Sequence, residues 1–233
     1  MVAPVIVSYS GSAGCPTTTG ITIPAPIGIQ ENELLIADIN CKFGFGGNLI
    51  APSGWNLIFS LGSDPAGIDL WYKITDTSDT TASGYDFSSS SSKNSFRGYI
   101  YRISGSDISN PFLASGNMGG FDNATSNNRL DLSMGDSLLF AVHGHRGGSW
   151  GIDVINYNGW SLLTSFDCGS NQAEKSTFYN VFENAGKSNT PEIDLLRTYS
   201  WKSAVVAIKP AIEPPSWGIQ NSVVVSKNII LKG

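Results

Sequence analysis

The sequence predicts an all-β protein, an antiparallel β-sandwich of jelly-roll type built from two tandem repeats of about 105 residues. Three observations carry this. Apolar residues rarely recur at the 3.6-residue spacing of a helix. Short apolar or alternating runs are instead bounded by Gly, Pro, Asn, Asp and Ser, the pattern of strands and turns. And a block of sequence comes twice. Ala51-Pro52-Ser53-Gly54-Trp55-Asn56-Leu57-Ile58, followed by Leu70-Trp71-Tyr72-Lys73-Ile74, returns as Asn156-Tyr157-Asn158-Gly159-Trp160-Ser161-Leu162-Leu163, followed by Thr177-Phe178-Tyr179-Asn180-Val181. Glu33-Leu34-Leu35-Ile36-Ala37 returns as Ser137-Leu138-Leu139-Phe140-Ala141, and Ser95 to Tyr101 as Ser200 to Val206. Leu34 to Leu138, Trp55 to Trp160, Phe96 to Trp201 and Tyr72 to Tyr179 are offsets of 104, 105, 105 and 107 residues.

Each block has a physical reading. In Ala51-Pro52-Ser53-Gly54 the proline sets φ for the turn and the glycine suits positive φ. Trp55 then opens a strand and supplies a large buried face. The second half keeps Gly159-Trp160 and replaces the proline with asparagines, which also tolerate turns. Both tryptophans are read as core anchors.

Along the chain, strands are expected at Val2–Tyr9, Ile21–Ile23, Leu34–Asn40, Trp55–Ser60, Ile68–Thr75, Tyr85–Ser90 and Phe96–Ser104. Leu34–Asn40 is almost continuously apolar, as in a strand buried on both faces. The serine run Ser88–Ser92 reads as strand end plus turn, because Tyr85 and Phe87 alternate into it. Asn110–Asn128, rich in Gly and Asn, is expected to be a polar connection between the halves. The second half offers Leu130–Leu132, Leu138–Val142, Trp160–Phe166, Ser176–Phe182, Glu192–Leu196 and Trp201–Lys209. The repeat halves are thus residues 21–104 and 129–210, within a duplicated sandwich covering 1–210. A single fused sandwich is favoured over two separate domains, because a sheet hides its apolar face only against another layer. Residues 211–233 form a Pro-rich linker (Glu213-Pro214-Pro215) and a strand-like arm. Trp217, Val223, Val225, Ile229 and Leu231 are its candidate partner-binding residues. An apolar strand left unpaired is an aggregation hazard, so the arm is expected either on its own sandwich or added to a neighbour's sheet.

Composition narrows the partners. Hydrophobic residues make up 41% of the chain and charged residues only 14%, with a net charge of −5. A lysine-poor acidic surface does not suit a nucleic-acid backbone or an anionic membrane. No run reaches the length of a membrane-spanning helix, and Met1-Val2-Ala3-Pro4 lacks the basic start of a signal peptide. Cys15, Cys41 and Cys168 are an odd number, without metal-type spacing or equivalent places in the two halves. They are read as incidental reduced thiols of a protein made in a cytoplasm.

Catalytic chemistry finds little support. His143 and His145 are i, i+2 neighbours, but a zinc site needs three or four ligands and only Asp153 is close in sequence. No metal or other cofactor is expected. No Gly-x-Ser-x-Gly elbow occurs. Asp64 and Asp69 are a conceivable carboxylate pair with nothing to single them out. Gly44-Phe45-Gly46-Gly47 follows a strand but leads into no helix that would bind phosphate. The chain is therefore expected not to be an enzyme. The loops Lys42–Asn48 and Gly144–Asp153 take equivalent places in the repeat, and they carry Phe43, Phe45 and Trp150. With His143 and Arg146 as polar partners, these aromatics are candidates for a sugar-binding platform or for contacts with another subunit.

The repeated pattern joins Glu33-Leu34-Leu35, Pro52-Ser53-Gly54-Trp55, Trp71-Tyr72-Lys73, Tyr85-Asp86-Phe87-Ser88 and a closing apolar strand. It resembles a β-sandwich unit of tailed-bacteriophage structural proteins, found in tail, fibre and head-decoration components. The resemblance covers about Ile21 to Pro210. It departs at Tyr157, where the family usually has proline, and in the C-terminal arm. It implies a virion component without catalysis, assembled in the host cytoplasm, that forms homo-oligomers and docks on other virion proteins. A carbohydrate-binding module for host-surface glycans is the alternative.

Overall fold

The computed structural model of the chain describes residues 2–42, 49–62, 67–126, 130–146, 154–156, 159–168, 173–188 and 192–212. Among these residues the first half contributes β1 (Val5–Gly11), β2 (Thr18–Pro24), β3 (Leu34–Cys41), β4 (Leu49–Ile50), β5 (Asn56–Leu61), β6 (Gly67–Ile74), β7 (Gly84–Lys93) and β8 (Arg97–Ser104). There follow β9 (Phe112–Ser126), β10 (Asp131–Leu132), β11 (Ser137–Arg146), β12 (Val154–Asn156), β13 (Ser161–Asp167), β14 (Ala173–Phe182), β15 (Gly186–Lys187) and β16 (Glu192–Ile208). The helical element among them is a 3-10 turn, Thr77–Thr81, closed by a capping box between Asp76 and Asp79. The fold is all-β, and every strand pairing is antiparallel.

Two large sheets dominate. One has the order β1-β8-β3-β6-β5, the other β12-β16-β11-β14-β13 with β9 also on β16. The strands matched by the sequence offsets take the same places, β8-β3-β6-β5 in one sheet and β16-β11-β14-β13 in the other. A three-stranded sheet, β2-β7-β4, and a two-stranded one, β10-β15, complete the set.

Side-chain alternation on a strand turns these sheets into a stack of four layers. In β3, Leu35, Ala37, Ile39 and Cys41 point to the three-stranded sheet and pack with Ile21, Ile23, Trp55, Tyr85 and Phe87. Leu34 and Ile36 point the other way and meet Leu138, Phe140, Val142, Val206 and Ile208 of the second large sheet. All eight residues of β3 are buried, which is what its nearly unbroken apolar run requires. In β11, Leu139 and Ala141 face away from that seam, toward Leu130, Leu132 and Trp160. The two large sheets are therefore the inner layers, and each hides a second face under a small sheet.

The glycine of each Gly-Trp pair takes the positive φ expected of these turns. Gly54 has φ 84° and Gly159 φ 82°, a region glycine enters without a Cβ clash. Trp55 and Trp160 are both buried, and Trp55 meets Tyr85 and Phe87 edge-on at ring separations of 5.3 and 5.4 Å. The serine run continues as strand to Lys93.

Three expectations are corrected. Asn110–Asn128 is not a polar connection, since Phe112–Ser126 is a fifteen-residue strand paired along β16. Phe112 anchors it in the seam and Leu113 and Ala114 pack beyond it, so a long partner ladder overrides the weak strand propensity of Gly and Asn. The segments Glu192–Leu196 and Trp201–Lys209 are one strand, with an irregularity between Asp194, opposite Ala124, and Tyr199, opposite Asp122 of β9. Finally, Cys15 and Cys168 are not reduced thiols but a disulfide with a Cα separation of 5.7 Å, inside the usual range. It spans 153 residues and ties the first half to the second. Cys41 remains a buried thiol.

Candidate functional site

Among the described residues a constellation of buried polar side chains lies between the two large sheets. Alternation puts Asp38 on the same face of β3 as Leu34 and Ile36, so its carboxylate enters the seam, where it is fully buried. A charge there needs partners, since an isolated buried carboxylate is costly. They come from both sheets. Thr177 on β14 donates to Asp38 Oδ2 at 2.9 Å, and the Tyr101 hydroxyl of β8 lies 3.1 Å from the same oxygen. Tyr101 Oη is also 2.6 Å from Thr164 Oγ1 and 3.0 Å from Thr177 Oγ1. Asp38 Oδ1 contacts Nζ of Lys175, the third residue of β14. Burial pushes the Lys175 pKa well below the ordinary lysine value and raises that of Tyr101, because desolvation disfavours either charged form.

Aromatic rings wall this centre. Lys175 Nζ is 5.3 Å from the Tyr99 ring centroid and 5.6 Å from that of Phe166. The Arg97 guanidinium lies 4.8 Å from the Phe166 centroid, donates to Tyr99 Oη at 2.9 Å and reaches Cys15 Sγ at 3.9 Å. The disulfide and the Asp38 cluster are thus neighbours along one seam.

Other ionisable groups also hold elements together. Lys73 donates to Asp79 Oδ1 at 2.7 Å and Tyr85 to the same oxygen at 2.9 Å, fixing the 3-10 turn against β6 and β7. Arg102 grips Glu33 through Nε at 2.6 Å and Nη2 at 2.9 Å, the bidentate geometry that makes such pairs strong. Asp69 accepts from Ser60 at 2.7 Å, and burial pushes its pKa up to about 6. Asp64 lies outside the described residues. Among the described residues no three His, Cys, Asp or Glu side chains converge as a metal site. An apolar hollow of about 150 Å³ is lined by Ile6, Leu138, Leu163, Tyr179 and Val181, and among its described lining residues there is no carboxylate, histidine, lysine or arginine.

The residues singled out as a sugar platform fare unevenly. Phe43, Phe45 and Trp150 lie outside the described residues, as do the arm residues Trp217, Val223, Val225, Ile229 and Leu231. Arg146 ends β11, and its side chain is likewise not described. His143 is corrected. It is completely buried, on the same face of β11 as Leu139 and Ala141, with its ring 6.1 Å from that of Trp201. It cannot line an open platform. The ends of β3 and β11 do come together: a Cβ on Gly144 would lie 3.3 Å from Asn40 Nδ2 and 3.1 Å from Ile68 Cδ1. Cys41, the last residue of β3, and Arg146, the last of β11, therefore lie toward the same end of the stack.

Sequence reasoning passed over Asp38, Tyr101, Thr164, Lys175 and Thr177. One signal was available. Asp38 interrupts the run Leu34-Leu35-Ile36-Ala37 in a strand read as buried on both faces, and a carboxylate in such a strand demands a partner. Nothing local pointed to Lys175, 137 residues further on.

No protein-family model, no curated protein and no solved structure matches the chain.

Proposed function

We propose that the protein is a non-enzymatic structural component of a tailed-bacteriophage virion, a capsid decoration or a tail or fibre part, acting by self-assembly and docking. Its two halves are read as a duplicated sandwich unit packed back to back. One observation carries the structural role. Buried Asp38, Lys175, Lys73, Asp79 and Glu33 grip other strands and turns, rather than converging on an open cleft. The phage assignment rests on the sequence resemblance. A disulfide suits a particle that ends in an oxidising setting.

Two measurements test this. Mass-spectrometric inventory of virions from the source phage is expected to find the chain at stoichiometric copy number, and its absence from particles sinks the assignment. Light scattering of the full chain is expected to show an oligomer, and removal of residues 213–233 a folded monomer. A truncated chain that keeps the same oligomer means the arm does not mediate assembly.

The glycan-binding alternative keeps one favourable observation, the close approach of Gly144 near the end of β11 to Asn40 near the end of β3. Glycan-array binding that is lost in Trp150→Ala would support it. An array with no hits rejects it.

A further inference from the structure

We propose that Asp38 and Lys175 condense to an intramolecular amide between Asp38 Cγ and Lys175 Nζ, a covalent cross-link joining the two large sheets. A lysine ammonium has three protons to donate. Among the described residues, the oxygen that Lys175 Nζ touches is Asp38 Oδ1, and its other neighbours are the rings of Tyr99 and Phe166. Among the described residues no other acceptor satisfies it. Side-chain exposure is 1% for Lys175 and 0% for Asp38. In such surroundings two ions cost more than a neutral amine beside a neutral carboxylic acid, and the low lysine pKa points the same way. A neutral amine is a nucleophile, and desolvation is a recognised way of producing one.

The rest of the centre suits the reaction. Asp38 Oδ2 is held by the hydroxyls of Thr177 and Tyr101 at 2.9 and 3.1 Å. Those donors would stabilise the negative charge that gathers on Oδ2 as Nζ adds to Cγ, as an oxyanion hole does. The proton on Nζ first passes to Oδ1, giving amine and acid. Nζ attacks Cγ, the C–N bond forms, and the Cγ–Oδ1 bond breaks. Oδ1 leaves with its own proton and one from the amine, as water. No oxidant, reductant or cofactor enters. Holding amine and acid in contact also removes most of the entropic cost of condensation.

The repeat offsets of 104 and 107 residues align Asp38 with Val142 and Lys175 with Ile68. Val142 and Ile68 both lie in the seam core, so the matching place is filled by an apolar pair. Apolar packing there is commonly as stable as a buried ion pair or more so. A polar pair kept on one side calls for a further purpose, and covalent closure supplies it.

The test is intact mass spectrometry of the full chain, denatured and with its disulfide reduced. Reduction matters because Cys15 and Cys168 join the same two tryptic peptides. The expected mass is one water below that calculated for the linear chain. Trypsin is then expected to release a branched species in which the peptide ending at Lys42 is joined to the peptide spanning 147–187, uncut at Lys175. Lys175→Met and Asp38→Ala should each restore the mass calculated for the linear variant, a reading that does not depend on whether the variant folds. A wild-type mass equal to that of the linear chain overturns the proposal. So does a lost water that maps anywhere else.

Discussion

Tyr101 of β8 and Thr164 of β13 share a 2.6 Å hydrogen bond across the seam between the two large sheets, and both residues are buried. One comes from each half of the chain. The Tyr101 hydroxyl also reaches Asp38 and Thr177, so it is the hub of the polar contacts that register one sheet on the other.

Tyr101→Phe should therefore destabilise the fold more than a surface change. The ring keeps its 5.0 Å edge contact with Phe140, but Asp38, Thr164 and Thr177 each lose a partner in a dry site. A buried polar group left unsatisfied costs about 1–3 kcal/mol. Urea unfolding should show a lower midpoint for the variant. An unchanged midpoint would mean that the hydroxyl network contributes nothing.

The disulfide makes a second prediction. Denatured but unreduced protein should show one titratable thiol, Cys41, out of the three cysteines. Cys15→Ser with Cys168→Ser should lower stability by roughly 2–5 kcal/mol, since a long loop is no longer closed in the unfolded chain. Three reactive thiols before reduction would refute the pairing.

Stability should also depend on pH through Asp69. Its carboxyl has a folded pKa of about 6 against an ordinary 3.8, mainly because of burial. The folded state therefore holds this proton to higher pH than the unfolded state does. The resulting contribution is full below about pH 3.8 and is lost as pH rises through 6, with a slope set by linkage. At about 1.4 kcal/mol per pK unit the change is of the order of 3 kcal/mol. Asp69→Asn should flatten that part of the stability profile between pH 4 and 7. A variant with the wild-type slope would assign the effect to other groups.

The two Gly-Trp turns should respond alike. Trp55→Ala and Trp160→Ala each empty a buried site under one small sheet, at a cost of about 3–5 kcal/mol. Thermal unfolding should show comparable losses for both. A large loss for one and none for the other would show that the two small sheets are anchored differently.

What the sequence alone determined was local. Alternation and turn chemistry are written in neighbouring residues, so the all-β class, the Gly-Trp turns and the doubly buried β3 could be read from Pro52, Gly54, Gly159 and the run from Leu34. The repeat offsets likewise matched strands that take the same places in the two large sheets. What only the tertiary structure decided was which faces meet. Nothing near Cys15 announces Cys168, and nothing near Asp38 announces Lys175, because both pairs arise from stacking one large sheet on the other. That stacking is also why His143, hydrophilic by type, is sealed in the interior, and why a Gly- and Asn-rich segment such as Phe112–Ser126 becomes a long strand. Propensity is a weak local preference, whereas a complete hydrogen-bond ladder and a buried face are set by partners far along the chain.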